Sequence, residues 1–340
     1  MPDDRIKLAH GSGGALMHDL IARVIVPRFS NPALVRLEDA AELADVAGRR
    51  IEGGRLAFTT DTYVVQPLFF PGGDIGKLAV AGTVNDLAVK GAEPACLTLG
   101  LVIEEGLPIA NLERVLDSAA ATARGAGVVV VAGDTKVVEC GAVGGLIVNT
   151  SGVGVIPDGI ALGSERVREG DAVIVSGTIG DHETAIVIAR KDLRVEEAIE
   201  SDCAPVNGLV RRVLEACPET RVMRDPTRGG IGTTLNEIAA AAGAGITLDE
   251  RALPVRPAVR AVCDILGFDP LYMACEGKVV AIVPPGASEA VVRAMRADPL
   301  GREAAVVGAV GGRRGVYLRT GVGGVRPVLM LEGVQLPRIC

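Results

Sequence analysis

The sequence has 340 residues, enough for two domains with real cores. Its net charge of −7 and 2% aromatic content exclude a nucleic-acid surface of basic grooves and stacked rings, and no run of about eighteen uncharged apolar residues suggests a membrane span. With 7 cysteines but no C-x-x-C pair, only 3 histidines, and an acidic Met1-Pro2-Asp3-Asp4-Arg5 opening unlike a signal peptide, a zinc centre or disulfide framework is excluded and a cytoplasmic protein with reduced thiols is expected.

Along the chain, the first informative stretch is His10-Gly11-Ser12-Gly13-Gly14, followed by a helical pattern over Ala15 to Val26. A glycine-rich turn before a helix offers free N–H groups and a positive dipole end, which suit phosphate; a hinge fits equally well. His18, on that helix, reads as packing. A strand is expected over Arg55 to Val65, carrying Thr60-Asp61, and a small-residue helix over Ile75 to Lys90, carrying Asn85-Asp86. Gly72 to Lys77 is no P-loop: three residues separate its glycines where four are needed, and Leu78 stands where Ser or Thr is required. Pro94 to Val102 reads as a strand, Asn111 to Gly125 as an amphipathic helix, Val128 to Ala132 as a buried strand ending in Gly133-Asp134-Thr135-Lys136, and Gly144 to Thr150 as the last strand of this half. Alternating strands and helices with apolar strands predict a two-layer α/β domain.

The chain breaks near Pro157 to Gly163 and a second half begins. Its expected elements are a strand over Asp171 to Gly177, a helix opening at Gly180-Asp181-His182-Glu183, a helix over Cys203 to Cys217, and a turn at Asp225-Pro226-Thr227-Arg228-Gly229-Gly230 launching a helix over Ile231 to Ala242. Glu276-Gly277-Lys278 precedes a strand over Val279 to Val283; a helix over Ala287 to Ala297 and a strand-like Pro327 to Leu331 follow. The sequence closes on Pro337-Arg338-Ile339-Cys340, a nucleophile where the backbone has most freedom. Arg338 and the terminal carboxylate pull its thiol pKa in opposite directions, which leaves activation open.

Asp39, Asp61, Asp86, Asp134 and Asp225 each sit at the edge of an apolar element beside small or hydroxylated neighbours. Carboxylates converging on a strand edge repel one another unless a cation joins them, and magnesium takes such hard oxygens together with phosphate. Each aspartate alone equally suits a helix or turn cap.

Together, Asp39-Ala40-Ala41, Thr60-Asp61, Gly82-Thr83-Val84-Asn85-Asp86, Phe70-Pro71-Gly72-Gly73-Asp74-Ile75-Gly76, Ala132-Gly133-Asp134-Thr135-Lys136, the Asp225 to Gly230 turn, Glu276-Gly277-Lys278 and the terminal Pro337-Arg338-Ile339-Cys340 resemble the aminoimidazole ribonucleotide synthetase (PurM-like) superfamily, and within it the HypE family of hydrogenase-maturation proteins. The resemblance runs the length of the chain. It implies an α/β (α+β) fold of two PurM-like domains, each a mixed sheet packed against helices. The expected boundaries are 1–155 for ATP, metal and dimerisation, 156–325 for a second domain, and 326–340 for a flexible tail bearing the reactive cysteine.

It also implies an ATP-dependent carbamoyl dehydratase. A carboxamide is loaded onto Cys340, ATP activates the amide oxygen, and loss of phosphate leaves a thiocyanate, the source of cyanide for the iron of nickel–iron hydrogenase. Carried over residue by residue, Cys340, Glu276 and Lys136 are catalytic. Gly11, Gly13, Gly14, Asp61, Asn85, Asp134, Thr135 and Arg228 bind ATP, and Asp39, Asp61, Asp86 and Asp225 hold Mg²⁺. Glu276 is the expected base; its alternative is a partner for Lys278 or Arg228, and that of Lys136 is a phosphate ligand. Implied partners are the carbamoyltransferase HypF, the iron-carrying HypC–HypD complex and a second copy in a homodimer. Where the family usually has Asn before this glutamate, Cys275 stands here, which puts a hydrogen bond orienting the glutamate or the tail in doubt. Residues 332–340 span roughly 30 Å when extended at about 3.3 Å per residue, with Gly333 as hinge and Pro337 as stiffener. Two other readings compete: a related ATP-dependent enzyme acting on a free small molecule, such as an amidine precursor or selenide, and a non-enzymatic scaffold or metallochaperone.

Overall fold

The structure is a computed structural model and describes residues 14–29, 36–43, 45–46, 49–50, 53–193, 195–331 and 339–340. Gly11 and Gly13, the Gly333 hinge and the Pro337-Arg338 pair lie outside them.

The first half runs α1 (Ala15–Leu20), β1 (Ala41–Leu43), β2 (Gly54–Tyr63), α2 (Ile75–Val89), β3 (Glu93–Glu104), α3 (Ile109–Ala126), β4 (Val129–Val138) and β5 (Leu146–Pro157). Its sheet has the order β1-β2-β5-β3-β4, antiparallel except between β3 and β4. Strand β5 alternates buried and half-buried at every step, as a pleated strand with one face on a core must. Helix α2 is buried almost throughout. It starts on Asp74, whose Oδ1 accepts the Gly76 and Lys77 N–H groups at 2.8 and 3.1 Å, and a Cβ at Gly76 would run into the Val115 carbonyl.

The second half contains β6 (Ala172–Val175), α4 (Asp181–Lys191), α5 (Asn207–Ala216), β7 (Val222–Arg224), α6 (Gly230–Ala242), β8 (Gly245–Asp249), α7 (Pro257–Leu266), β9 (Val280–Val283), α8 (Ser288–Arg296), β10 (Ala305–Val310), β11 (Gly315–Arg319) and β12 (Val325–Val328). Its sheet order is β7-β9-β6-β10-β8-β11-β12, and only β8 and β11 are parallel. Strands β6 and β9 are buried at every residue because both faces are covered. Val173 and Val175 enter a core with Ile231, Leu235 and Ile238 of α6, while Ala172 and Ile174 enter one with Leu209, Val213, Val291 and Met295. The expected mixed sheets with helices are therefore present in both halves.

Two expectations are corrected. The valine run at 128–132 was expected to be a buried strand, but only Val128 is buried; β4 is an edge strand with Val129, Val131 and Val137 exposed at 60%, 62% and 68%. Consecutive apolar residues are two-sided in a strand, and whether anything covers both sides is not a local property. The second sheet also continues through Val328, so residues 326–328 are strand rather than tail.

A third core joins the halves. Tyr63, Phe70, Ile75, Leu78 and Val115 of the first meet Ile186, Val187, Cys203 and Ala274 of the second, and Ile339 is buried among them.

Candidate active site

Three of the expected carboxylates meet. Asp39 precedes β1, Asp86 lies on α2 and Asp225 follows β7, yet one oxygen from each falls within 4.8 Å of the others. Thr59 on β2 holds the group, its hydroxyl 2.8 Å from Asp86 Oδ2 and 2.9 Å from the Asp39 carbonyl. Burial first, and then mutual repulsion, push these acids up: Asp225 to about 8, Asp86 well above its usual range. Asp39 rises to about 6, its burial opposed most by Arg224, which also bonds Glu237 at 2.9 Å. Arg224 Nε is 2.5 Å from Asp39 Oδ2 as an ion pair out of hydrogen-bond alignment, so that oxygen and Asp225 Oδ2 both lack a hydrogen-bond donor. An all-oxygen set of crowded acids with orphaned oxygens is short of positive charge and fits a hard divalent cation such as Mg²⁺.

Beside the triad opens a cavity of about 260 Å³ whose wall includes Asp61, Tyr63, Thr227, Arg228, Glu276 and Cys340. Asp61 thus lies on the cavity wall and outside the triad, its Oδ1 accepting the Thr62 N–H at 2.8 Å. Glu276 is 2% exposed and its Oε1 has no hydrogen-bond partner. Burial, followed by the charges of Asp225, Asp202 and Asp61, raises its pKa well above the usual carboxyl range. Its main chain is held on both sides: Asp202 Oδ1 accepts its N–H at 2.9 Å, and Asn85 Nδ2 donates to its carbonyl at 3.3 Å.

Cys340 lies inward. Arg228 Nη2 is 2.9 Å from its main-chain oxygen and 3.2 Å from its Sγ. Desolvation nevertheless pushes the thiol up to about 12, with Arg228 the main opposing influence. The docked thiol is therefore protonated, which answers the activation question left open by the sequence. The preceding carbonyl, of Ile339, accepts from His182 Nε2 at 2.8 Å.

Other expected residues go elsewhere. Asn85 is 1% exposed and its amide straps the halves together, donating to the Ala204 carbonyl at 3.1 Å and accepting the Val206 N–H at 2.7 Å. Asp134, Thr135 and Lys136 lie on exposed β4; Lys136 bonds Asp134 at 2.9 Å, and neither of these two lines the cavity of this chain. Gly14 precedes α1, whose His18 is not packing but bonds Glu237 Oε1 at 2.9 Å on the cavity rim. Lys278 pairs with Asp202 at 3.2 Å, so it is not the partner of Glu276. Cys275 turns away into the core that holds Val173, Ile231 and Leu235, where its Sγ accepts the Gly180 N–H at 3.3 Å; the Glu276 N–H is held by Asp202 instead. Sequence reasoning missed Arg224, Glu237 and Asp202, whose only signal is charge next to a singled-out turn or element.

The models for the N-terminal and C-terminal domains of AIR synthase related proteins match residues 37–156 and 168–321. The carbamoyl dehydratase HypE of Rhodobacter capsulatus is 52% identical over 340 residues, spanning 99% of each chain. The crystal structure of a HypE–HypF complex superposes with a TM-score of 0.86 at 42% identity, covering 92% of this chain and 99% of that one. That of the hydrogenase maturation protein HypE in complex with ATP gives 0.81 at 45% identity, covering 99% and 100%.

Proposed function

The chain belongs to the HypE family of AIR synthase-related proteins, and from that premise we propose how its own residues carry out ATP-dependent carbamoyl dehydration in hydrogenase maturation. One observation carries the proposal: Cys340 and Glu276, whose Oε1 has no hydrogen-bond partner, line one cavity together with Asp61, whose charge reaches Asp86 and Asp225 of the acid triad beside it.

The substrate is the carboxamide on Cys340, S–C(=O)NH₂. Its oxygen is a poor leaving group until the γ-phosphoryl of ATP is transferred to it, and such transfer is catalysed mostly by alignment and charge neutralisation. Asp39, Asp86 and Asp225, with Asp61 alongside, would hold Mg²⁺, which supplies that neutralisation at the phosphates. Arg228 aligns the carrier by gripping both the main-chain oxygen and the sulfur of Cys340. Two N–H protons then leave the nitrogen, one as the O-phosphate forms and one as phosphate departs, and the product is S–C≡N. Glu276 is the base that takes them one at a time, passing the first on to the phosphate before it accepts the second. Burial first, and then the charges of Asp225, Asp202 and Asp61, raise its pKa, so neutralising Asp225 and Asp61 favours the ionised form that accepts a proton.

The carboxamide comes from a HypF-type carbamoyltransferase, a partner supported by the solved HypE–HypF complex. We further propose delivery to an iron-carrying HypC–HypD complex in the cytoplasm, and a homodimer built on β4, whose exposed valines suit a second copy. Among the described residues no helix is long and apolar enough to cross a membrane. Lys136 and Asp134 act, on this reading, in the dimer. Peptide mass spectrometry of the protein loaded by its transferase tests the reaction: the Cys340 peptide is expected to lose the mass of one water only with ATP and Mg²⁺. A carboxamide that never attaches to Cys340 overturns the carrier role and favours a free small substrate.

A further inference from the structure

The mechanism above leaves three features unused: the Phe70-Pro71-Gly72-Gly73 motif, the buried His182 and the buried Ser201. They form one unit. His182 is completely buried, with Nε2 2.8 Å from the Ile339 carbonyl and Nδ1 2.8 Å from Ser201 Oγ. A carbonyl can only accept, so Nε2 carries the proton and the neutral ring must accept at Nδ1. Ser201 agrees, because its Oγ already accepts the Cys203 N–H at 3.0 Å and has its hydroxyl proton left to donate. The chain Cys203 N–H to Ser201 to His182 to Ile339 is thus satisfied in one direction, and the ring presents a fixed donor to the tail.

The motif in the first half clamps this unit. Phe70 packs edge-on against the His182 ring, centroids 5.5 Å apart and planes at 89°. Pro71 accepts the Ser201 N–H at 2.8 Å. Gly72, at φ +88°, is pressed so close that a Cβ would stand 2.7 Å from both the Ser201 nitrogen and oxygen. Only glycine permits both that dihedral and that approach.

We propose that His182, oriented by Ser201, is the positioning residue that latches the tail inward by its Ile339 carbonyl and so presents Cys340 to Arg228 and Glu276. This rests on the reading of Cys340 as the carrier and adds to it a device for residence time. Held, the cysteine is sheltered and set against the base; released, it is free to meet the transferase or the acceptor of its product.

The test measures the latch without the reaction. Full-length protein is treated with iodoacetamide, and alkylation of Cys340 is followed by peptide mass spectrometry, with the buried Cys203, Cys217, Cys263 and Cys275 as folding controls. His182→Ala is expected to raise the Cys340 rate about tenfold, the value of one buried hydrogen bond, while the four controls stay protected. His182→Gln, whose amide N–H replaces the imidazole donor, should return most of that gain. Ser201→Ala should act in the same direction as His182→Ala. Unchanged Cys340 alkylation in both alanine variants overturns the latch. Failure of the glutamine to rescue also overturns it, since the effect would then be lost packing against Phe70. If His182→Ala unmasks the controls, Ser201→Ala decides by the same criterion. A second readout, single-turnover dehydration of pre-loaded protein, should show a slower rate in His182→Ala with half-saturating ATP unchanged. A wild-type protein that carries the carboxamide and never dehydrates it defeats the proposed reaction, yet leaves the alkylation result standing.

Discussion

Glu276 and Cys340 are both acids whose pKa the fold raises in the docked chain, and for the same first reason, desolvation. The thiol needs no activation once it already bears the carboxamide, so its protonated state inside the cavity is no obstacle to the second half of the cycle. Glu276 must be ionised to act as a base, and the repulsion from Asp225 and Asp61 ties its ionisation to neutralisation of those two acids. Glu276→Gln should therefore lower single-turnover dehydration by about 10²–10⁴-fold, the usual worth of a positioned base. ATP affinity, measured by calorimetry, should change little. Equal dehydration by the variant would remove Glu276 from the mechanism. Cys275 takes no part in holding the main chain of Glu276: its side chain faces the core, and Asp202 and Asn85 bond the Glu276 N–H and carbonyl.

At the scale of elements, two short pieces matter more than their length suggests. The turn between Phe69–Phe70 and Gly73–Asp74 joins the halves at Ser201. Gly72→Ala puts a side chain into the left-handed region, at a cost of about 1–2 kcal/mol, and adds a clash with Ser201. A lower Tm in calorimetry and faster Cys340 alkylation are expected together; a change in neither would mean that the loop is free to move aside. Strand β4 is the other piece. Its valines are exposed, and if a second copy covers them as proposed, Val131→Glu is expected to turn a dimer into a monomer by light scattering. A wild type that is monomeric at working concentration would defeat that assignment.

For the whole molecule, the crowded acids make stability depend on pH and metal. Asp39 and Asp225 titrate in the folded chain near about 6 and about 8, above their ordinary value of 3.8. The folded state thus holds protons that the unfolded state has released, and the stability this contributes is lost as pH rises from about 4 through 8. Without metal, Tm should fall across that range; Mg²⁺ should raise it most at the alkaline end, where the three carboxylates are ionised and Arg224 is paired only with Asp39 among them. Asp225→Asn should flatten the alkaline part of the fall and blunt the magnesium effect. A Tm indifferent to both pH and Mg²⁺ would show that the triad holds no cation. The local turns, the alternation of strands and helices, and the individual aspartates were legible in the sequence because each depends on neighbours a few residues away. Resemblance to a family supplied the chemistry of Cys340 and Glu276. Tertiary structure alone decided that Asp39, Asp86 and Asp225 share one point, that Asn85 straps the halves, that β4 is exposed, and that His182 grips a residue 157 positions away. Such meetings depend on how the layers pack, and packing is set by the summed contacts of the whole chain, which no local pattern encodes.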